Sequence, residues 1–294
     1  MKIDICLVGF GTWGKIIFNN ILENKNYNLV LIITSKKKKI FSKSRNIKIS
    51  NNYKDAAKQK NIKAAFIATT PKKQFEISKF FLKNGISLIL EKPVSLRLNN
   101  IKKLIELNNK YKKIILVNYI YLYHPLILHI KKNIEKNKEL IKFFKTNGGD
   151  NKPERTYINT LFDWGPHDLS LLLFFINAPR LHSVFKQKKY RRVNYLLKFN
   201  NNNQSSLLIF GNNFKNKKRN ILIETNKNTY EIDLSKRNIL KKNNRLLSYT
   251  MHDTPLQNLL NSFYKKFINK KKYNDDLIFS INLTNILTKV EKNV

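Results

Sequence analysis

Two groups of residues in this chain have types and spacing that can do chemistry. Asp163 and His167 stand four apart in Asp163-Trp164-Gly165-Pro166-His167. If that segment is helical or opens a helix, the spacing puts a carboxylate and an imidazole on one face. The imidazole titrates near neutrality and can take a hydroxyl proton, while the carboxylate orients the ring or grips a substrate. The second group is Gly9-Phe10-Gly11-Thr12-Trp13-Gly14, which fits G-x-G-x-x-G. It follows a strand-like run and opens a helix-like one. There the first glycine makes a tight turn, the second lets backbone approach a pyrophosphate, and the third packs helix on strand. The helix N-terminus adds N–H groups and a partial positive charge for phosphates. Gly9, Phe10, Gly11, Thr12, Trp13 and Gly14 are therefore the candidate dinucleotide cradle.

An acid about 20 residues past the glycines would bind the adenosine ribose hydroxyls of NAD. Here the count from Gly14 reaches Thr34, followed by Ser35 and Lys36 through Lys39, with no acid. A serine and a lysine at this strand end suit a 2′-phosphate instead. The expected cofactor is NADP or NAD, with Ser35 and Lys36 tilting the choice to NADP.

These residues need elements to position them. Near-continuous apolar runs at Ile3–Val8, Leu29–Thr34, Lys63–Ala68, Ser87–Leu90 and Lys113–Val117 read as strands covered on both faces. Helix-length segments alternate with them: Trp13–Glu23, Tyr53–Lys60, Lys72–Asn84 and Leu98–Tyr111. The alternation predicts a doubly wound parallel Rossmann sheet over 1–118. Beyond it, the pattern predicts a helix at Pro125–Lys136, a strand at Leu140–Thr146 and a turn cluster at 148–151. A helix at Pro166–Ile176 follows, then strands at Leu181–Lys186, Arg192–Phe199, Ser205–Phe210, Ile221–Thr225 and Tyr230–Leu234. Helices at Pro255–Ile268 and Asp275–Val290 close the chain. Residues 119–294 thus read as an α+β domain with an open, mostly antiparallel sheet.

At 294 residues the chain has room for two domains of roughly 150 residues each. Its 57 basic and 19 acidic residues give a net charge of +38. Such a charge suits a polyanion partner, but the lysines are spread over the whole chain with no basic tail or nucleic-acid motif. No specific nucleic-acid partner is expected. Cys6 is the only cysteine, which excludes an intrachain disulfide and a cysteine metal site. No metal is expected. With no signal sequence and no apolar run long enough to span a bilayer, the expectation is a cytoplasmic protein without a membrane partner.

Gly9–Gly14, Ile67-Ala68-Thr69-Thr70-Pro71, Glu91-Lys92-Pro93 and Asp163–His167 occur in the order found in the Gfo/Idh/MocA family. The chain resembles that family over nearly its whole length, including Thr254-Pro255-Leu256. The resemblance implies a sugar, cyclitol or nucleotide-sugar oxidoreductase. It places Thr69, Thr70, Pro71 and Glu91 at the cofactor and Lys92 beside the nicotinamide and the reacting carbon. Lys92 would polarise a carbonyl or relay a proton, and Pro93 would fix the backbone there. The Lys92, Asp163, His167 set would then be the catalytic group, with Asp163, His167 and Tyr123 touching substrate. The resemblance also implies a homo-oligomer, dimer or tetramer. Tyr119, Tyr121, Tyr123 and His124 follow the fifth strand, where alternation could line a polyol pocket or pack the domains. Ser170 stands where the family often has an aspartate, with Asp168 directly after the histidine, and Gln74 stands where it often has a histidine. These departures keep open a second reading, a dinucleotide-binding sensor or scaffold of a sugar pathway without turnover.

Overall fold

The computed structural model describes residues 1–35, 47–201, 203–235, 238–269 and 274–294. They form two compact units, Met1–Asn118 with Leu256–Asn282, and Tyr119–Pro255 with Leu283–Val294. The fold is α/β, a Rossmann sheet in the first unit and a mixed, mostly antiparallel sheet in the second.

The first unit holds β1 (Ile3–Val8), α1 (Thr12–Glu23), β2 (Tyr27–Ile33), β3 (Lys48–Ser50), β4 (Ala64–Ile67), α2 (Pro71–Lys83), β5 (Ser87–Glu91), α3 (Leu98–Tyr111) and β6 (Ile115–Asn118). The six strands are all parallel, in the order β3-β2-β1-β4-β5-β6. Strands β1, β4, β5 and β6 are buried almost throughout, as their unbroken hydrophobicity requires. Burial pushes the Cys6 thiol in β1 up to about 12, so it acts as a small core hydrophobe. Tyr53–Lys58 is a 3₁₀ helix and not the expected α-helix. The Asn52 side chain accepts from the Lys54 N–H, and i→i+3 bonds such as Asp55 N–H to Asn52 O tighten the turn.

The second unit holds α4 (Pro125–Lys136), β7 (Ile141–Gly149), α5 (Thr160–Phe175), β8 (Arg180–Lys189), β9 (Arg192–Asn201), β10 (Gln204–Gly211), β11 (Lys218–Thr225), β12 (Thr229–Asp233), β13 (Ile239–Lys242) and β14 (Arg245–Leu247). Its sheet runs β14-β13-β12-β11-β7-β10-β9-β8, antiparallel except where β7 and β10 pair in parallel. Helix α5 packs on β7, β9 and β10. Two expectations are corrected here. Gly148 and Gly149 continue β7, paired with β10 and β11, and form no turn; they are glycines because a Cβ at Gly148 would sit 2.3 Å from the Arg219 guanidinium carbon and one at Gly149 2.3 Å from the Phe214 ring. Helix α5 begins at Thr160 and not at Pro166, which lies inside it. Asn159 sets the earlier start by accepting from the Phe162 N–H.

Helix α6 (Pro255–Asn269) belongs to the first unit from Leu256 on, and α7 (Asp275–Lys292) is divided between the two. In the first unit, the Tyr27 hydroxyl donates to Leu260 O, and the Asp276 carboxylate accepts from the Val117 N–H at 2.9 Å. That carboxylate covers a donor on edge strand β6. Among the described residues, no helix is long and apolar enough to cross a membrane.

Candidate active site

The first unit builds a cradle at the C-terminal edge of its sheet. Gly9 ends the β1 turn at φ +98°, where a Cβ would lie 2.2 Å from Ala68 O. A Cβ at Gly14 would lie 2.2 Å from Gly9 O, so the third glycine lets α1 close on the turn. Gly11 differs: a Cβ there would meet nothing within 4 Å. It is the N-cap of α1, with no side-chain cap and no acid in the first turn, so the helix start presents uncovered N–H groups. Phe10 packs edge-on against Phe18, while Thr12 and Trp13 are exposed at the helix mouth. Beside Gly9, Thr69 carries a buried hydroxyl without a hydrogen-bond partner. Thr70 caps α2, and Pro71 occupies its first turn. The open face at Gly11 and the unsatisfied Thr69 oxygen both fit a phosphate-bearing ligand. Ser35 follows β2 and is exposed. Lys36 lies outside the described residues.

Farther along the same sheet, β5 ends at Glu91, whose Oε1 accepts from Asn118 Nδ2 at 2.6 Å. Burial pushes the Glu91 carboxyl up, opposed by the Asn118 hydrogen bond and the Lys92 ammonium. The Lys92–Pro93 peptide is cis, and Lys92 is half-buried. Gln74, in the first turns of α2, donates from Nε2 to Glu91 O at 2.6 Å, to Pro93 O at 3.2 Å and to Val94 O at 3.3 Å. The sequence marks Gln74 as a departure from the family pattern but not its main-chain partners, and Asn118 carries no signal beyond its position at the end of an apolar strand.

In the second unit α5 carries Asp163 and His167 one turn apart. Asp163 sits in the first turn, where a carboxylate complements the helix dipole, 3.3 Å from Arg155 Nε. The His167 ring meets Tyr121 edge-on at 5.2 Å and Trp164 at 6.2 Å. Tyr121 and Trp164 both also face the guanidinium of Arg219, at 4.7 and 5.5 Å. Arg219 is 1% exposed and pairs with Asp168, which is wholly buried, at 2.8 Å. Burial pushes the Asp168 carboxyl up, against the pull of Arg219. The guanidinium Nε and Nη2 have no hydrogen-bond partner. Ser170 is buried and donates to His167 O within its own helix. Residues Ile120–Tyr123 form a 3₁₀ turn, which breaks the alternation expected of the tyrosines. Tyr119 is buried, Tyr123 is half-buried, and His124 caps α4 by accepting from the Leu126 N–H. Sequence reasoning also missed Arg219, which sits in a polar Lys-Arg-Asn stretch. Among the described residues, no group of three or more His, Cys, Asp or Glu could hold a metal ion.

A parallel six-strand sheet with a glycine turn opening onto a helix N-terminus is the Rossmann arrangement that binds dinucleotides. Residues 3–119 match the Gfo/Idh/MocA family model, described as "oxidoreductase family, NAD-binding Rossmann fold". No curated protein matches the sequence. Solved structures match over nearly the whole chain. UDP-N-acetylglucosamine 3-dehydrogenase GnnA from Acidithiobacillus ferrooxidans is 13% identical, with 100% of this chain and 98% of that one covered and a TM-score of 0.84. Aldose-aldose oxidoreductase from Caulobacter crescentus, complexed with glycerol, is 11% identical, with 99% and 98% covered and a TM-score of 0.86. Biliverdin reductase from Synechocystis sp. PCC 6803, in complex with biliverdin and NADP+, is 15% identical, with 99% and 98% covered and a TM-score of 0.79. At these identities the likeness is one of fold.

Proposed function

We propose that this chain transfers a hydride between a secondary alcohol of a sugar, cyclitol or nucleotide sugar and NADP or NAD. The observation that carries the reading is the glycine turn: Gly9 and Gly14 are required by packing, while Gly11 alone faces open space at an uncapped helix start. When bound, the nicotinamide dinucleotide supplies or accepts the hydride. Residues 1–118 serve as its binding domain, and 119–294 as the substrate and oligomerisation domain.

The backbone from Gly9 to Gly14 holds the pyrophosphate, with Thr69, Thr70 and Pro71 at its side. Ser35 and Lys36 take the adenosine end, where a 2′-phosphate finds no acid to repel it. Glu91 lines the nicotinamide pocket. Lys92 polarises the substrate oxygen or relays its proton, and His167 takes the hydroxyl proton as general base. Asp163 orients the imidazole or the substrate, and Tyr123 offers a hydroxyl to a polyol. Motif order within the family supports these roles, as does the placement of Asp163 and His167 one helical turn apart. The sugar-acting structural neighbours support the substrate class.

Thermal unfolding with NAD+, NADH, NADP+ and NADPH tests the cofactor. A dinucleotide at 100 times its dissociation constant stabilises the native state by about 2.7 kcal/mol. Turnover followed at 340 nm with UDP-N-acetylglucosamine, glucose, myo-inositol and biliverdin tests the substrate class. Lys92→Ala and His167→Asn each lower kcat on the accepted sugar by about a hundred- to ten-thousandfold, leaving a residual rate that can be measured. Near-normal rates in both variants, or turnover of biliverdin alone, would overturn the proposal.

A further inference from the structure

Lysine is spread over the whole chain, and what sets Lys92 apart is its backbone. Carbonyls on both sides of it, Glu91 O before and Pro93 O and Val94 O after, converge on one nitrogen, Gln74 Nε2, at 2.6, 3.2 and 3.3 Å. Glu91 is the last residue of β5, and Pro93 and Val94 lie beyond it, where no ladder supplies donors. A primary amide carries two hydrogens on one nitrogen, so it can serve several acceptors from one point. The reversed amide would set Gln74 Oε1 against three carbonyl oxygens, so hydrogen bonding fixes the orientation.

The rest of the turn is held from other directions. Asn118 at the end of β6 grips the Glu91 carboxylate, and Ser95 Oγ accepts from the Arg97 N–H and from Asn100 Nδ2, both at 3.1 Å. Gln74 spans Lys92 itself. It is 1% exposed, and its Oε1 is buried without a hydrogen-bond partner. Packing alone gives no reason for an amide here, since an apolar side chain of the same length would fill the space and leave no such oxygen.

We propose that Gln74 is a positioning residue for Lys92. By holding the main chain on both sides of the lysine, it fixes the point from which the ammonium reaches the reacting oxygen. The inference rests on the role proposed above for Lys92. Its test is made so that the two can fail separately.

The variants are Gln74→Met, which keeps the length and removes both donors, and Gln74→His, which keeps one ring N–H. Amide hydrogen exchange of the full chain, with no ligand added, reads the clamp directly. Exchange across residues 88–97 rises at least about tenfold in Gln74→Met and less in Gln74→His, while the strands of the second unit keep wild-type rates. Steady-state kinetics on the sugar accepted in the panel then read the consequence. Misplacing a catalytic group by about 1 Å costs up to about a hundredfold. In Gln74→Met kcat falls about ten- to a hundredfold with KM within about twofold, and Gln74→His recovers part of it. In a Lys92→Ala background Gln74→Met lowers kcat no further, since groups acting as a unit are not additive. Equal kcat losses in both backgrounds would make Gln74 merely structural, and unchanged exchange over 88–97 would show that no clamp exists. If wild-type protein turns over no sugar, the Lys92 reading falls and the exchange result alone decides the clamp.

Discussion

Removing one member of the Asp168–Arg219 pair and then both tests whether the charge pair organises the second unit. The two groups are 0% and 1% exposed and 2.8 Å apart. At an effective dielectric of about 20 their attraction is about 4–6 kcal/mol, offset by the cost of dehydrating both ions. Breaking a buried pair from one side leaves an uncompensated charge and costs about 3–5 kcal/mol. Arg219→Met and Asp168→Asn should each lose that much. The double variant leaves no buried charge, so it should lose less than the larger single loss. The signal must come from the second unit alone. The chain has two tryptophans, Trp13 in the first unit and Trp164 over the Arg219 guanidinium. Urea titration in a Trp13→Phe background, followed by fluorescence, therefore reports on the second unit. A pH series adds an independent check. In Arg219→Met the Asp168 carboxyl loses its cation, and its folded pKa rises further above the unfolded value of about 3.9. The folded state then binds the extra proton, so this variant loses stability as pH rises through the window above about 4. It is closer to wild type at pH 5 than at pH 7. A double variant whose loss equals the sum of the single losses, with no narrowing of the Arg219→Met deficit at pH 5, would refute the argument.

Three further outcomes are expected. Gly11→Ala leaves urea stability within about 0.5 kcal/mol, because its Cβ meets nothing, yet weakens dinucleotide binding at least about tenfold; Gly14→Ala, whose Cβ would meet Gly9 O at 2.2 Å, destabilises the fold itself. Calorimetric titration and unfolding of both variants check this. The folded-state pKa of Glu91 is raised by burial, so its contribution to stability falls as pH climbs from the unfolded value of about 4.3 through the raised one. Glu91→Gln removes that slope, as unfolding curves between pH 4 and 7 will show. Asp276→Ala leaves the Val117 N–H of edge strand β6 without its acceptor and costs about 1–3 kcal/mol, read as a lower urea midpoint for the Trp13 signal.

What the sequence discloses follows from how local each signal is. The glycine fingerprint and the helix over Leu98–Tyr111 are written in consecutive residues, and the structure places them at the same boundaries. Strands β1, β4, β5 and β6 are legible because burial on both faces demands unbroken hydrophobicity. The misread elements depend on residues far away in the chain. Gly148 and Gly149 look like a turn until Arg219 and Phe214 are seen to need the space. The start of β11 at Lys218-Arg219-Asn220 reads as polar loop because the anion that permits Arg219 to be buried lies 51 residues earlier. Pro166 masks the start of α5, although Asn159 and Asp163 carry the signals of a cap and an acidic first turn. Strands β3, β13 and β14, three or four residues long, give no period to detect. Gln74 shows in the sequence only as a departure from a family pattern, because its partners are main-chain atoms that every residue type possesses.

The discontinuity of the first unit bears on the order in which the chain is made. The Tyr27 hydroxyl, the Asn24 amide and the Val117 N–H find their partners in Leu260, Gln257 and Asp276. A ribosome that has finished β6 must still produce some 160 residues before those partners exist. At about 5–20 residues per second that interval is on the order of ten seconds. Through it the nascent Rossmann sheet has an open β6 edge, and the second unit's sheet is synthesised before the first unit is complete. A chain cut short after residue 255 would have every glycine named above and every residue proposed for catalysis. It would lack the helices that complete the first unit, and such a product is a substrate for chaperones and proteases.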